Sequence, residues 1–286
     1  MAEIAINQEL CIGCGACVDA CSVAHVYGLK NEKAQVLSPS RCWGCGQCVA
    51  VCPVDAISHS EHPLDACPVI ERRDDDLDTL IGYLRSRRSN RLYKDKQVPR
   101  EIITNLLNTT RWAPTGSNMQ AITWLAVDTP QPVAQLSQKA IDTLMEGAEN
   151  LRQSIPPEAG PEDEKKILRH AKRLEYLGKR AKRGEKPLFF GAPVVLIAVT
   201  PRSFVGRDDA VISGYTLQLT AVQMGLATCQ IGYFMAALEF DPNLGRDMLD
   251  VQDNEEIQMV LTLGFPKYKM HRTAARAALP IRWTGN

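Results

Sequence analysis

The chain has 286 residues, of which 45% are hydrophobic and 23% are charged, and its formal net charge is zero. This composition is typical of a globular protein with one large domain or two smaller ones, and it is not basic enough to indicate a nucleic-acid-binding protein. The neutral total hides an asymmetry, because residues 1–76 carry 5 Lys and Arg against 11 Asp and Glu, whereas the remainder carries 28 against 22.

Neither a membrane span nor a secretory leader is expected. The longest apolar run, at 189–200, is shorter than the roughly 18 residues that a spanning helix needs. The first residues contain Glu3 where a signal peptide would be apolar, so we expect a cytoplasmic protein. Ten cysteines in a reducing compartment indicate metal binding or catalysis rather than disulfides.

In chain order, two cysteine-rich runs come first, and residues 59–76 then form a polar, acidic stretch that we predict to be a linker. Apolar residues at helical spacing predict one helix that starts at Leu77 behind a possible N-cap at Asp76, and a second helix that starts after Pro99. Further helices are predicted at about 132–150, 162–183, 208–225 and 243–250, and strands near 122–127, 193–200, 227–231 and 257–264. No strand is followed by G-x-G-x-x-G, so a dedicated dinucleotide-binding domain is not expected.

The two cysteine runs have the same spacing, C-x2-C-x2-C-x3-C. They consist of Cys11, Cys14, Cys17 and Cys21, and of Cys42, Cys45, Cys48 and Cys52. Three thiolates at this spacing can bind three corners of an iron–sulfur cubane, while glycines between them let the backbone turn sharply. A pair of zinc ribbons is the alternative, but it would need separated C-x2-C pairs.

Residues 1–58 resemble the bacterial two-cluster ferredoxins. The resemblance implies two [4Fe-4S] clusters, with the last cysteine of each run bound to the other cluster. One cluster would then bind Cys11, Cys14, Cys17 and Cys52, and the other Cys42, Cys45, Cys48 and Cys21. One departure is Ser22, which stands where the family has a proline. Cys67 has no partner run, and Cys229 is expected to be a buried core residue.

The remaining residues contain three short motifs that fit a flavin phosphate and ring. "RSRRSNR" places Arg87, Ser89 and Arg91 on one face of an extended segment, where they could bind a phosphate or, alternatively, suit a helix C-terminus. "APTGSNMQ" is a turn whose amide side chains could bond the polar edge of a flavin ring. "QIGY" contains a glycine, whose backbone amide a planar ring could approach closely.

In this order the motifs resemble the nitroreductase family of FMN enzymes over residues 77–273, in a domain predicted to span 77–286. The resemblance implies an α+β fold with a small mixed sheet flanked by helices, an intertwined homodimer, and flavin chemistry near Gly232 with no catalytic side chain. The implied FMN-binding residues are Arg87, Arg88, Ser89, Arg91, Pro114, Ser117, Asn118, Gln120, Ile231 and Gly232, with Lys269 and Arg272 closing the phosphate site. Arg276 is a further candidate for that last role.

Together the two resemblances predict an iron–sulfur flavoprotein oxidoreductase. Electrons would pass from the clusters to FMN and then to a small organic acceptor, such as a nitroaromatic, a quinone, an activated alkene or a halogenated aromatic. Reduced ferredoxin or NAD(P)H could be the donor. The alternative is an electron-transfer component that links a soluble carrier to a larger redox complex and has no small substrate of its own.

Overall fold

The structure, a computed structural model, describes residues 2–22, 24–69, 76–156 and 158–285. The chain forms two compact units. The boundary between them lies after Asp76, except that one short later segment belongs to the first unit. The first unit consists of Met1–Asp76 with Thr115–Met119, and the second consists of Leu77–Pro114 with Gln120–Asn286. No helix in the described ranges combines the length and the apolar character that a membrane crossing requires.

The first unit is built from short elements around the cysteines. Strand β1 (Ile4–Ile6) pairs antiparallel with β4 (Ile57–His59), and β2 (Tyr27–Lys30) pairs antiparallel with β3 (Lys33–Val36). Helices α1 (Ala16–Ala20) and α2 (Gln47–Ala50) each follow a left-handed glycine, Gly15 and Gly46. The two cysteine runs therefore have the same local structure, as their common spacing predicts.

The first unit extends beyond residue 58, where the sequence places the start of a linker. His59 belongs to β4 because it pairs with Ile4, and a short 3-10 helix follows at Leu64–Ala66. Cys67 packs against the apolar core of this unit. The remaining linker prediction at 70–75 lies outside the described residues.

The second unit is an antiparallel sheet with the strand order β5-β6-β8-β7. Its strands are β5 (Thr123–Val127), β6 (Val194–Pro201), β7 (Ala227–Gln230) and β8 (Glu255–Gly264). Ser89 adds a parallel bridge to Thr228, which makes the sheet mixed. The predicted strands and the predicted α+β class are confirmed, and the apolar run of β6 follows from its central position, in which every residue except Pro201 is buried.

Helices cover both faces of this sheet. In chain order they are α3 (Asp76–Ser86), α4 (Arg100–Thr109), α5 (Pro130–Gln153), α6 (Pro161–Lys182), α7 (Gly206–Gln223), α8 (Gly232–Phe240) and α9 (Arg246–Leu249). Val195 and Ile197 of β6 pack in one apolar cluster with α5, α6 and α8, while Leu196 and Ala198 pack in another with α4 and α7. This division follows from the period of two along a strand.

Two glycines of the first cysteine run provide a matched stability test. Gly13 and Gly15 both have positive φ, of 69° and 77°, so alanine is strained at either position. A Cβ at Gly13 would also overlap the backbone carbonyl of Glu32, whereas at Gly15 its nearest neighbour would be Leu29 Cδ1 at 3.7 Å. We expect Gly13→Ala to lower the unfolding temperature of the first unit clearly more than Gly15→Ala in a thermal melt. Equal shifts for the two variants would contradict a steric overlap at Gly13, because backbone strain alone would then explain both.

Candidate functional site

Four thiols of the first unit line a single apolar cavity. Three belong to the first run, at Cys11, Cys14 and Cys17, and the fourth is Cys52, the last cysteine of the second run. The apolar wall includes Ile6 and Ala34, and Ile57 also lines the cavity. The described residues contain no group of three or more metal-binding side chains that would hold a single ion. In a cubane each of four thiolates binds a different iron, and these four thiols line one cavity.

Burial and hydrogen bonding shift the pKa values of individual cysteine thiols in opposite directions. Burial raises the pKa of Cys17 and of Cys48. Backbone hydrogen bonds from Ala34 and Gly13 lower the pKa of Cys11, with a smaller contribution from the Lys33 ammonium. Lys33 Nζ donates to the backbone carbonyls of Gln8 and Cys11. Ligation requires thiolates, so groups that favour the charged sulfur also favour cluster binding.

Tyr27 and His59 contact sulfurs of the second run, and sequence reasoning missed both. The buried Tyr27 hydroxyl donates to Cys48 Sγ at 3.1 Å, and burial raises the pKa of Tyr27, so the hydroxyl keeps its proton. Nε2 of the buried His59 lies 3.4 Å from Cys42 Sγ. His59 Nδ1 accepts from the Glu61 amide at 3.2 Å, which puts the single proton of the neutral ring on Nε2 and directs it at the sulfur.

Gly44 joins the second run to a distant part of the chain. Its amide donates to Cys42 Sγ at 3.3 Å, and its buried carbonyl accepts from His62 Nε2 at 2.7 Å and from Asn118 Nδ2 at 2.8 Å. Asn118 and Ser117, two residues predicted to contact flavin, are therefore grouped with the cysteine-rich unit. Ser117, Asn118 and Gln120 all have positive φ, near 50°, which is strained for residues other than glycine and asparagine.

The charged motif of the second unit lies near the buried thiol of Cys229 in β7. Helix α3 ends at Ser86, and the chain then runs extended, with the Asn90 amide donating to the Thr228 carbonyl at 2.8 Å. Burial raises the pKa of Cys229, while Arg91, the Ser89 hydroxyl and Arg87 act in the opposite direction. Arg87, Ser89 and Arg91 are therefore all near enough to Cys229 to act on its thiol.

These arginines are held in place by neighbouring side chains. Arg87 Nη1 donates to Gln218 Oε1 at 3.5 Å and lies over the Tyr215 ring, and Arg91 lies over the Phe190 ring at 5.7 Å. A surface cavity is lined by Arg91, Phe190, Ile231 and Gly232. A Cβ at Gly232 would meet no atom within 4 Å, so the space over this backbone is open.

The remaining residues predicted to bind flavin do not line the cavity beside Arg91 and Gly232. Arg88 is half-buried and Pro114 is exposed. Lys269, Arg272 and Arg276 lie exposed in an irregular C-terminal segment. Lys267, two residues before Lys269, lies beside the residue that follows Arg91, because its backbone amide donates to the Leu92 carbonyl at 3.0 Å.

Comparison with known families supports the interpretation of both units. Residues 84–265 match the family model described as nitroreductase family, and this match covers more than half of the chain. The chain belongs to the nitroreductase family. Residues 10–56 of this nitroreductase-family protein match a second model, described as a 4Fe-4S dicluster domain. The predicted fusion of a ferredoxin-type domain with a nitroreductase domain is thereby confirmed, and the protein is an oxidoreductase.

Solved structures share the fold of this nitroreductase-family chain at low sequence identity. An FMN-bound nitroreductase from Bacteroides fragilis has 18% identity and a TM-score of 0.55, and the match covers 72% of this chain and 98% of that one. The FMN- and NADPH-dependent nitroreductase NfnB from a Sphigopyxis strain has 22% identity and a TM-score of 0.52, with 72% and 99% covered. A BluB-like flavoprotein from Clostridium difficile has 15% identity and a TM-score of 0.55, with 71% and 99% covered. A search of curated protein sequences finds no match.

Proposed function

We propose that this protein is an FMN-dependent oxidoreductase that takes electrons through two [4Fe-4S] clusters and delivers them to a small organic acceptor. The observation that carries the proposal is the presence, in one chain, of a four-thiol cavity and of an arginine-lined cavity beside an open glycine backbone. The FMN-bound state of the similar Bacteroides fragilis structure supports the choice of cofactor.

The side chains of the second unit fit the phosphate of FMN. Arg87 and Arg91 present guanidinium groups and Ser89 presents a hydroxyl near Cys229, which suits a charge-assisted, forked recognition of phosphate oxygens. Gln218 holds Arg87 in place before any ligand arrives, which reduces the entropy lost on binding. Phe190 packs beneath Arg91, so this guanidinium is also restrained.

The backbone at Gly232 fits the ring end of the cofactor. Helix α8 begins at Gly232, so its first amides lack helical partners and its dipole favours negative charge. When bound, FMN supplies a ring that can take up electrons singly and pass them on as a pair. The proposed role of the chain is to hold that ring, to favour its anionic reduced form from the start of α8, and to leave one face open to the acceptor. No catalytic side chain is assigned.

The cysteine assignment follows the two-cluster arrangement. Cys11, Cys14, Cys17 and Cys52 are proposed to bind one cluster, and Cys42, Cys45, Cys48 and Cys21 the other, which we call the second-run cluster. The shared cavity supports the first set. The contacts of Tyr27 and His59 with Cys48 and Cys42 give the second set a polar, partly buried surrounding of its own. Because such clusters need reduced thiolates, the proposed location is the cytoplasm.

Exposed apolar residues support a homodimer. Leu77, Leu80 and Leu84 leave the apolar face of α3 uncovered, and α7, whose opposite face packs on the sheet, exposes Val211 and Tyr215. The C-terminal segment adds exposed Leu279, Ile281 and Trp283. Apolar surface of this extent is typical of subunit interfaces. We therefore propose that a second copy covers it.

The decisive experiment is anaerobic purification of the full chain, followed by cofactor analysis and turnover. We expect iron, acid-labile sulfide and FMN to copurify, with a solution mass of twice the chain. We also expect reduced ferredoxin or NADPH to drive reduction of at least one nitroaromatic, quinone, activated alkene or halogenated aromatic. FMN reduction without turnover of any of these acceptors would favour the electron-transfer component instead. Zinc in place of iron, or no flavin, would exclude the proposed function.

A further inference from the structure

Two side chains donate to sulfurs of the second cysteine run. Tyr27 O–H points to Cys48 Sγ and His59 Nε2–H points to Cys42 Sγ, at 3.1 and 3.4 Å, and the Gly44 amide adds a third donor at 3.3 Å. On the proposed assignment, all three donors act on the second-run cluster. Of the sulfurs assigned to the other cluster, Cys52 accepts from the backbone amide of Ala56 at 3.2 Å, and Cys11 accepts from the backbone amides of Ala34 and Gly13.

Donors to cysteine sulfur stabilise the reduced, more negative state of an iron–sulfur cluster and so raise its reduction potential. The effect is largest where water is excluded, because the local dielectric is low. Tyr27 and Cys48 are both buried, at 5% and 7% exposure, and His59 is buried at 3%. The hydroxyl and the imidazole are therefore well placed to act on the cluster that Cys48 and Cys42 would bind.

A positive charge lies beside the first cysteine run and would raise the reduction potential of the other cluster. This charge is the Lys33 ammonium, which donates to the Cys11 carbonyl. Its nitrogen is engaged by the carbonyls of Gln8 and Cys11 rather than by a sulfur, and it is only half-buried. Solvent screening weakens a partly exposed charge more than a buried hydrogen bond.

We propose that Tyr27, with His59 and the Gly44 amide, raises the reduction potential of the second-run cluster above that of the other cluster. A single electron added to the first unit would then reside on the second-run cluster, with no bond formed or broken and no proton moved. Asn118 and His62 bond the Gly44 carbonyl and so restrain the backbone of the residue whose amide donates to Cys42. The inference rests on the cluster ligands assigned under the proposed function.

Tyr27→Phe tests this inference in the full-length holoprotein. The variant keeps the ring and its packing and removes only the donor, so both clusters should be retained by iron and sulfide analysis. In a redox titration followed by electron paramagnetic resonance, we expect the more positive of two waves to shift to lower potential while the other stays in place. Ser58→Ala is the control. It also removes a hydroxyl from the first unit, but this hydroxyl donates to the Ala5 carbonyl and not to a sulfur.

A second measurement uses the unaltered protein and does not depend on the variant folding. With less reductant than one electron per chain, the β-proton resonances of Cys42, Cys45 and Cys48 should move before those of Cys11, Cys14 and Cys17. Two clusters present but no shift in Tyr27→Phe, or resonances of Cys11, Cys14 and Cys17 that move first, would overturn the inference and leave the proposed function standing. Absence of the clusters would overturn both.

Discussion

Replacing Cys52 with alanine is expected to remove the cluster that the first cysteine run holds. Cys52 shares a cavity with Cys11, Cys14 and Cys17, so its loss should leave that set one ligand short. Two cubanes contain about eight irons, so iron per anaerobically purified chain should fall to about four. Cys67→Ala is the matched control, because it removes a thiol from the same unit without touching either proposed ligand set, and it should retain all the iron.

Double variants distinguish the crossed arrangement from a local one. Cys52→Ala combined with Cys11→Ala should still leave about four irons, because both changes affect one cluster. Cys52→Ala combined with Cys42→Ala should leave almost none, because each change affects a different cluster. The opposite pattern would show that Cys52 serves the cluster of its own run.

Replacing Arg87 or Arg91 with alanine is expected to weaken the binding of FMN and to leave the binding of riboflavin unchanged. A hydrogen bond to a charged group contributes about 1.5–3 kcal/mol, so Arg91→Ala alone should raise the Kd for FMN by about tenfold to a hundredfold. Arg87→Ala should have an effect of similar size, since Gln218 already holds Arg87 at the motif. Fluorescence titration of flavin-free protein measures both constants.

Riboflavin lacks the phosphate, so its affinity should be the same in the arginine variants and in the parent chain. Arg85→Ala, in the exposed last turn of α3, is the matched control and should change neither constant. Arg91→Lys should fall between parent and alanine, because an ammonium keeps the charge and loses the fork. Equal losses for FMN and riboflavin would contradict a phosphate role for these residues.

Most of the second unit could be predicted because its elements are regular. The run of β6 is apolar at nearly every position, which a central strand between two helical layers requires. Helix α8 was missed because its sequence is apolar all round and shows no helical period. The predicted helix at 243–250 is only Arg246–Leu249, because Gly245 and Asp250 on either side adopt left-handed φ values.

Site residues could be predicted from the sequence only where they lie close together in it at a characteristic spacing. The cysteine runs and the arginine motif are of this kind, since their members lie within a few residues of one another. Tyr27 and His59 bond sulfurs 21 and 17 residues away, and Asn118 bonds a carbonyl 74 residues away. Such pairs depend on tertiary packing, so no pattern in the sequence indicates them.

The grouping of Thr115–Met119 with Met1–Asp76 has a consequence for dissecting the protein. A fragment cut at residue 76 would contain every proposed cluster ligand and yet lack the amide that Asn118 gives to Gly44. The iron–sulfur part is therefore complete in its metal ligands and incomplete in its hydrogen bonds. The first unit thus needs a segment that lies about forty residues after its main part, within the range of the nitroreductase domain, to complete the hydrogen bonds of Gly44.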